Sequence, residues 1–334
     1  MTLYIVPQLR IIFRYQEYWP ELLEEGFKKH FGDVELLRDS GYYHPDSGLF
    51  TNVEAHVELE LNQILELWRT VRDGDIVFFA DLDFPGFSTV WAQLIKYRRR
   101  VLVTGFLHAG SYCTGDIFEG DEAKRLLEAA MLRAVDVVFV ATNYHKQKLL
   151  KAFGPVASKV KVVGFPVYLP RKYKQFYYRD WKEREFDAVF LGRRRQKGTD
   201  ILEELCKALR GVRVVSTTPV KGAEHVRVEH WADYFWLLGN SKIVVSCARE
   251  ETFGLAVAEA VEMGCVPVVP DRYAYVELYP EEFRYRSFQE LRDKILDILS
   301  RDERPEVRVK VDWSPEKFFE NVSKIIRGIW GGDS

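Results

Sequence analysis

This chain of 334 residues has few of the residues that build disulfide frameworks or membrane spans. Its four cysteines, Cys113, Cys206, Cys247 and Cys265, are scattered, with no C-x-x-C pair. Two disulfides are arithmetically open, but Cys247 and Cys265 fall beside buried-strand patterns, which fits reduced core residues and a cytoplasmic location. No apolar run reaches the roughly 18 residues of a membrane span, so no stable transmembrane association is expected. The opening segment, Met1 to Pro7, lacks the basic region and long apolar core of a signal peptide and reads as a first strand. Met (3), Asn (5) and Gln (8) are sparse while Glu, Lys and Arg abound, a balance that points to a thermophile. No charge of either sign dominates. A formal net charge of −2 gives no global pull toward nucleic acid or anionic lipid.

What is present is a globular composition, 47% hydrophobic and 14% aromatic, with length enough for two domains that each bury a core. Apolar, β-branched runs alternate with helical periodicities, which argues for βαβ units and parallel sheets, an α/β fold. Strands are expected at 3–6, 76–80, 101–104, 137–140 and 160–163, with helices near 19–30, 53–71, 88–97, 121–133 and 144–153. The scheme then repeats, with strands at 188–191, 212–215, 243–246 and 266–269 and helices at 199–209, 231–238, 254–263, 288–299 and 315–329. The segment 166–185 holds Pro166 and Pro170, breaks the periodicity and is the expected boundary. Doubly wound sheets bind ligands at the carboxyl ends of their strands.

The most informative stretch sets Glu251 and Glu259 eight positions apart around Phe253 and Gly254, where a helical pattern opens. An apolar strand, 242–246, precedes it, and Gly264 with a second apolar strand ends it. A strand, a tight loop and a helix N-terminus together form an anion-binding device, because free backbone N–H groups and the positive dipole end face outward. Eight helical positions rise about 12 Å, comparable to the span from a sugar ring across a diphosphate to a ribose. A solvated carboxylate face on an ordinary amphipathic helix explains one glutamate, but not the whole pattern in this setting.

The pattern E-x-F-G-L-x-x-x-E-A, followed by a small turn and V-P-V-V, closely resembles the signature of retaining GT-B glycosyltransferases of the family-4 type. The resemblance implies two Rossmann-like, doubly wound domains facing across a cleft. Residues 1–168 would form the acceptor-side domain, with a helix near 315–330 packing back on it, and residues 169–314 the donor-binding domain. It also implies that Glu251 contacts donor-sugar hydroxyls, that Glu259 holds the ribose, and that amides near Phe253, Gly254 and Leu255 contact sugar and diphosphate. Residues 190–200, with Gly192, Arg193, Lys197 and Gly198, resemble the family's G-R-…-K-G element. There Arg193 and Lys197 would neutralise the charge growing on the leaving nucleotide. The spacing is shorter than common, so Arg194 or Arg195 could stand in for Arg193. By the same resemblance His108, in the loop after a buried strand, would face the donor sugar.

Other segments fit less closely. Thr142 or Asn143 reads as a helix N-cap. The segment after the first strand, residues 7–14, has no glycine where many relatives are glycine-rich, and Gln8 or Arg10 is a candidate for the acceptor pocket. Asp81-Leu82-Asp83 imitates a D-x-D metal motif, but a turn at 83–86 is the better reading. No metal and no cofactor is therefore assigned, the nucleotide sugar being a substrate. Residues 171–182 interleave cations with aromatics and read as an interdomain linker. Residues 1–170 carry 19 basic and 22 acidic groups, which argues weakly against a polyanionic acceptor. The expected partner is a nucleotide-sugar donor, UDP- or GDP-linked, with the base read near 217–219 and Trp231. The acceptor is open, and a peripheral membrane or nucleic-acid acceptor has no support in the residues. The competing readings are a GT-B-fold epimerase or phosphorylase and a non-catalytic sugar-nucleotide or nucleic-acid binding protein. The intact glutamate pair with Arg193 and Lys197 speaks against the last.

Overall fold

The computed structural model describes residues 1–12, 14–37, 42–43, 53–83, 87–192 and 197–330. The chain divides into two compact units, Met1–Pro166 with Pro315–Ser334, and Val167–Ser314.

The first unit contains β1 (Leu3–Val6), β2 (Arg10–Ile11), β3 (Val34–Leu36), β4 (Tyr42–Tyr43), β5 (Ile76–Phe79), β6 (Leu102–Phe106), β7 (Val137–Val140) and β8 (Val160–Val162). Six of these form a parallel sheet in the order β3-β1-β5-β6-β7-β8, while β2 and β4 make a separate parallel pair. Leu3 lies opposite Ile76 and Phe79 opposite Gly105. Every residue of β1, β5, β6 and β7 is buried. These strands therefore read as continuous apolar runs and not as alternation, as a sheet covered on both faces requires. The helix Asn143–Phe153 is capped by Thr142, whose hydroxyl accepts from the His145 amide at 3.2 Å. The last helix, Pro315–Trp330, packs on the helix Trp19–Lys28, with the Phe319 ring over Gly26, where a Cβ would meet it at 2.1 Å. Trp19, Phe27, Phe78, Phe139 and Phe318 are fully buried in this unit. Each such side chain contributes about 1.5–3 kcal/mol of apolar burial.

The second unit contains β9 (Phe186–Phe190), β10 (Val214–Ser216), β11 (Glu224–His225), β12 (Ser241–Val245), β13 (Val266–Pro270) and β14 (Arg284–Tyr285). They form one parallel sheet in the order β11-β10-β9-β12-β13-β14. The buried Arg184 ties three of its elements together. It donates to the carbonyls of Ser241 at 2.6 Å and Met263 at 2.8 Å, and lies over the Tyr178 ring. The two-residue strands at the sheet edges, and β3, are additions to the expected list. Residues 171–177, within the segment read as a linker with packed aromatics and solvated charges, are regular. They form a helix, Arg171–Tyr177, because Tyr173 stacks on Phe235 at 4.8 Å and gives one side of the segment a core to pack on.

Candidate functional site

In the second unit the chain runs from β9 outward through β10 and β11, then returns to the other side of β9 as β12. The crevice outside the carboxyl ends of β9 and β12 is thus a topological switch point, where doubly wound sheets bind ligands. Phe190 and Val245 lie opposite each other at that edge. The loops that leave them carry Gly192 and Lys197 on one side and Glu251 on the other.

Lys197 and Glu251 form an ion pair and hydrogen bond through Nζ and Oε1. Neither is deeply buried, at 36% and 17% side-chain exposure, so both remain reachable from solvent. Gly198 explains how the loops come so close. It takes φ +82, and a Cβ there would stand 2.2 Å from the Cys247 carbonyl oxygen. Only glycine combines that backbone with that proximity. Arg249 pairs with Asp200, a second clasp between the same two segments. Arg193, the other cation of the expected element, lies outside the described residues together with Arg194 and Arg195.

The helix after this loop spans Leu255–Glu262 and has Gly254 in the left-handed region at its N-cap, with no side-chain cap hydrogen bond. Its first-turn amides therefore present an anion-binding end with no competing side chain. Glu251 lies in the loop ahead of this helix and not on it, which corrects the helical-rise spacing drawn between the two glutamates. The αL residue Gly254 ends the helix four positions short of reaching Glu251. Phe253 is buried against Trp313 at 6.2 Å, so its backbone, not its ring, is on offer. Leu255 is half-buried at the first helical position.

Glu259 is buried one turn further on, and its carboxylate accepts from the Tyr234 hydroxyl at 2.7 Å. Tyr234 stands on the helix Trp231–Gly239, beside Trp231. Behind the loop, Tyr275 OH and Ser246 Oγ are 2.8 Å apart, and Tyr285 OH donates to the Ser246 carbonyl at 3.0 Å. Burial, and next the Glu251 charge, push the Tyr275 phenol well above its ordinary value, so it stays a neutral donor. Sequence reading overlooked Tyr234 and Tyr275. The signal for Tyr234 was its place three residues into the aromatic run 231–236, already noted at Trp231.

In the first unit the switch point lies between β1 and β5. His108 follows β6, and its Nε2 lies 3.1 Å from the Ala80 carbonyl, which also accepts from Trp19 Nε1 at 3.0 Å. A carbonyl can only accept, so Nε2 carries the proton. The ring is enclosed by Tyr15, Trp19, Phe106 and Phe165, with centroids 4.7–6.1 Å away. That burial drives its pKa down to about 3, so the imidazole is neutral in the ordinary pH range. Arg10, a candidate for the acceptor pocket, is buried with its guanidinium on the Glu17 carbonyl at 3.1 Å and paired to Glu21. Asp81 Oδ1 accepts from the Asp83 amide at 3.1 Å, and Asp83 pairs with Lys124 at 3.2 Å. Among the described residues no three His, Cys, Asp or Glu side chains gather as a metal-binding group. The turn expected at 83–86 lies mostly outside those residues. Also among the described residues, no helix is long and apolar enough to cross a membrane.

Two six-stranded parallel sheets with interleaved helices define the GT-B architecture, the fold of a large group of glycosyltransferases. The comparisons place the chain there. It aligns with an alpha,alpha-trehalose 6-phosphate synthase from Burkholderia multivorans at TM-score 0.67 and 11% identity, covering 99% of this chain and 97% of that one. It aligns with a sucrose-phosphate synthase from Thermosynechococcus elongatus at TM-score 0.60 and 13% identity, over 98% and 94%. In sequence it is 35% identical over 91 residues to a tRNA-queuosine alpha-mannosyltransferase of Drosophila melanogaster. That match spans 27% of this chain and 22% of the relative's length. No protein-family model matches.

Proposed function

We propose that the protein is a retaining glycosyltransferase that moves a hexose from a UDP- or GDP-linked donor to an acceptor hydroxyl. The observation that carries this reading is the joining of Lys197 and Glu251 at the switch point of the second unit, beside an uncapped helix N-terminus. A cation and backbone N–H groups suit a diphosphate, a carboxylate suits sugar hydroxyls, and Glu259 one turn on suits a ribose. On this reading Lys197, with an arginine of the 193–195 segment, stabilises the leaving diphosphate, Glu251 orients the sugar, and Gly192, Phe253, Gly254 and Leu255 shape the phosphate site. His108, in the first unit, is neutral with its Nε2 proton held by the Ala80 carbonyl, so the reading gives it no role as an acid. By the family resemblance the reading takes same-face attack, with the leaving phosphate helping to take the acceptor proton. Positioning and charge stabilisation would then supply the rate.

The mannosyltransferase relative makes a nucleotide-linked mannose and a queuosine-bearing tRNA the first donor and acceptor to try. We further propose that the protein is a thermostable cytoplasmic enzyme, on the sparse Asn, Gln and Met and the abundant charge. Product analysis with and without acceptor tests the activity. Transfer products support the reading, whereas epimerised sugar nucleotide in the absence of acceptor would replace it with an epimerase.

A further inference from the structure

The first unit carries an apolar face that no described residue of the unit covers. The helices Val53–Thr70 and Phe87–Arg98 pack side by side. On their outer side Leu61, Leu65, Trp91 and Leu94 each keep 49–52% of their surface exposed, Trp68 keeps 38% and Tyr97 keeps 88%. Leu61, Leu65 and Trp68 recur at helical spacing, as do Trp91 and Leu94, so each helix is apolar on a stripe outside its core-facing stripe. A groove of about 240 Å³ between the helices is lined by Leu61, Ile64 and Trp91 among others. Soluble proteins seldom leave so many large apolar side chains together on a surface without a partner.

The charges at one end of the face identify that partner. Arg69, Arg72 and Arg98 cluster where both helices end, with Arg72 donating to the Arg69 carbonyl and the Arg98 guanidinium over the Trp68 ring at 5.6 Å, while Arg99 is turned to the Val71 carbonyl and Arg100 to the Trp330 ring. The cluster is local, since residues 1–170 hold more acidic than basic groups. We propose that this two-helix face docks on the surface of an anionic lipid bilayer. The leucines enter the acyl boundary, Trp68, Trp91 and Tyr97 sit at headgroup level, and the arginines meet the anionic headgroups. Trp68, Trp91 and Tyr97 would give bases a stacking surface, but the three leucines among them would not, whereas a bilayer takes up all six side chains. A second copy related by a two-fold axis, with the helices in the same sense, would bring the two arginine clusters together.

The test is flotation of the full chain with vesicles of phosphatidylcholine alone and with about 30% phosphatidylglycerol, together with tryptophan emission. The expected result is binding to the anionic vesicles with a blue shift, loss of binding at high salt, and at least about tenfold weaker binding for Leu61→Ser/Leu94→Ser and, separately, for Arg69→Glu/Arg98→Glu. All four positions are on the surface, and an unchanged melting temperature confirms that the variants fold. No binding to anionic vesicles at low salt overturns the proposal, as does binding that both double variants retain. A dimer in light scattering that Leu61→Ser/Leu94→Ser dissociates assigns the face to a second copy instead. Binding of tRNA that the arginine pair abolishes, without vesicle binding, assigns it to RNA.

Discussion

Lys197 and Glu251 are 54 positions apart in sequence, yet their side chains meet at the edge where β9 and β12 end. With Lys197 36% and Glu251 17% exposed, the pair is partly screened by solvent and adds on the order of 1 kcal/mol to stability. The fold therefore does not need it, and its residues are available to a ligand. Lys197→Met and Glu251→Gln should each change unfolding free energy by less than about 1 kcal/mol, while lowering turnover roughly 10²–10³-fold. Urea unfolding set beside initial transfer rates checks the separation. A stability loss that tracks the activity loss would make the pair structural.

Tyr234 should act through Glu259. Tyr234→Phe removes the one hydroxyl and leaves the ring contacts with Trp231 and Phe235 in place. A hydrogen bond to a charged group is worth about 1.5–3 kcal/mol, and part of this is recovered when water replaces it. The nucleotide Kd should rise roughly five- to tenfold with kcat little changed. Titration calorimetry with the nucleoside diphosphate alone reads this directly. An unaltered Kd would remove Glu259 from the ribose site.

Gly198 should tolerate no side chain. Alanine there combines a left-handed backbone with a Cβ 2.2 Å from the Cys247 carbonyl. The cost should be about 2 kcal/mol or more, and the displaced Lys197 should lose its partner. Thermal melting is the check, with the wild type melting well above the roughly 50 °C of an ordinary mesophilic domain. A wild-type midpoint near that value would end the thermophile reading, and an unshifted Gly198→Ala would show that the two loops can part freely.

The fold was legible because its strongest signals are long. Buried parallel strands such as β5 and β7 are unbroken apolar runs, and the helices between them carry a clear period. The strands β14 and β3, of two and three residues, lack a flanking β-branched apolar run and did not show, whereas β8 and β10, equally short, lie in such runs and did. At the site, the family resemblance of residues 190–200 and 251–260 picked out Lys197 and Glu251, which the structure brings into contact. The helical spacing from Glu251 to Glu259 failed, because it carried the helical rise back through the loop that precedes the helix start already expected at Gly254. The Tyr234–Glu259 contact depends on how two helices pack side by side, which a single sequence does not encode locally.

Three groups in the first unit should give two opposite pH trends. His108 and His56 are depressed by burial, to about 3 and about 4. The unfolded chain takes up protons near pH 6.5 while the folded one does not, so stability should fall as pH drops from about 6.5 toward 4. Asp81 is raised by burial to about 7, so its folded form holds a proton that the unfolded chain has lost. Stability should therefore also fall as pH rises from about 4 through 7. Asp81→Asn keeps the acceptor for the Asp83 amide and removes the second trend. Its melting temperature relative to wild type should be higher at pH 8 than at pH 5, and the same difference at both would refute the burial argument.

The most direct test of the central claim is a thermal-shift titration of wild type, Lys197→Met and Glu251→Gln against UDP- and GDP-hexoses and the matching free nucleotides. At about a hundred times Kd, one base series should stabilise the wild type by about 2.7 kcal/mol. Lys197→Met should weaken the response to sugar nucleotide and free diphosphate alike, whereas Glu251→Gln should weaken only the preference for the sugar-bearing form. Equal responses from all three proteins, or none from the wild type to any sugar nucleotide, would contradict the assignment of this edge of the sheet to donor binding.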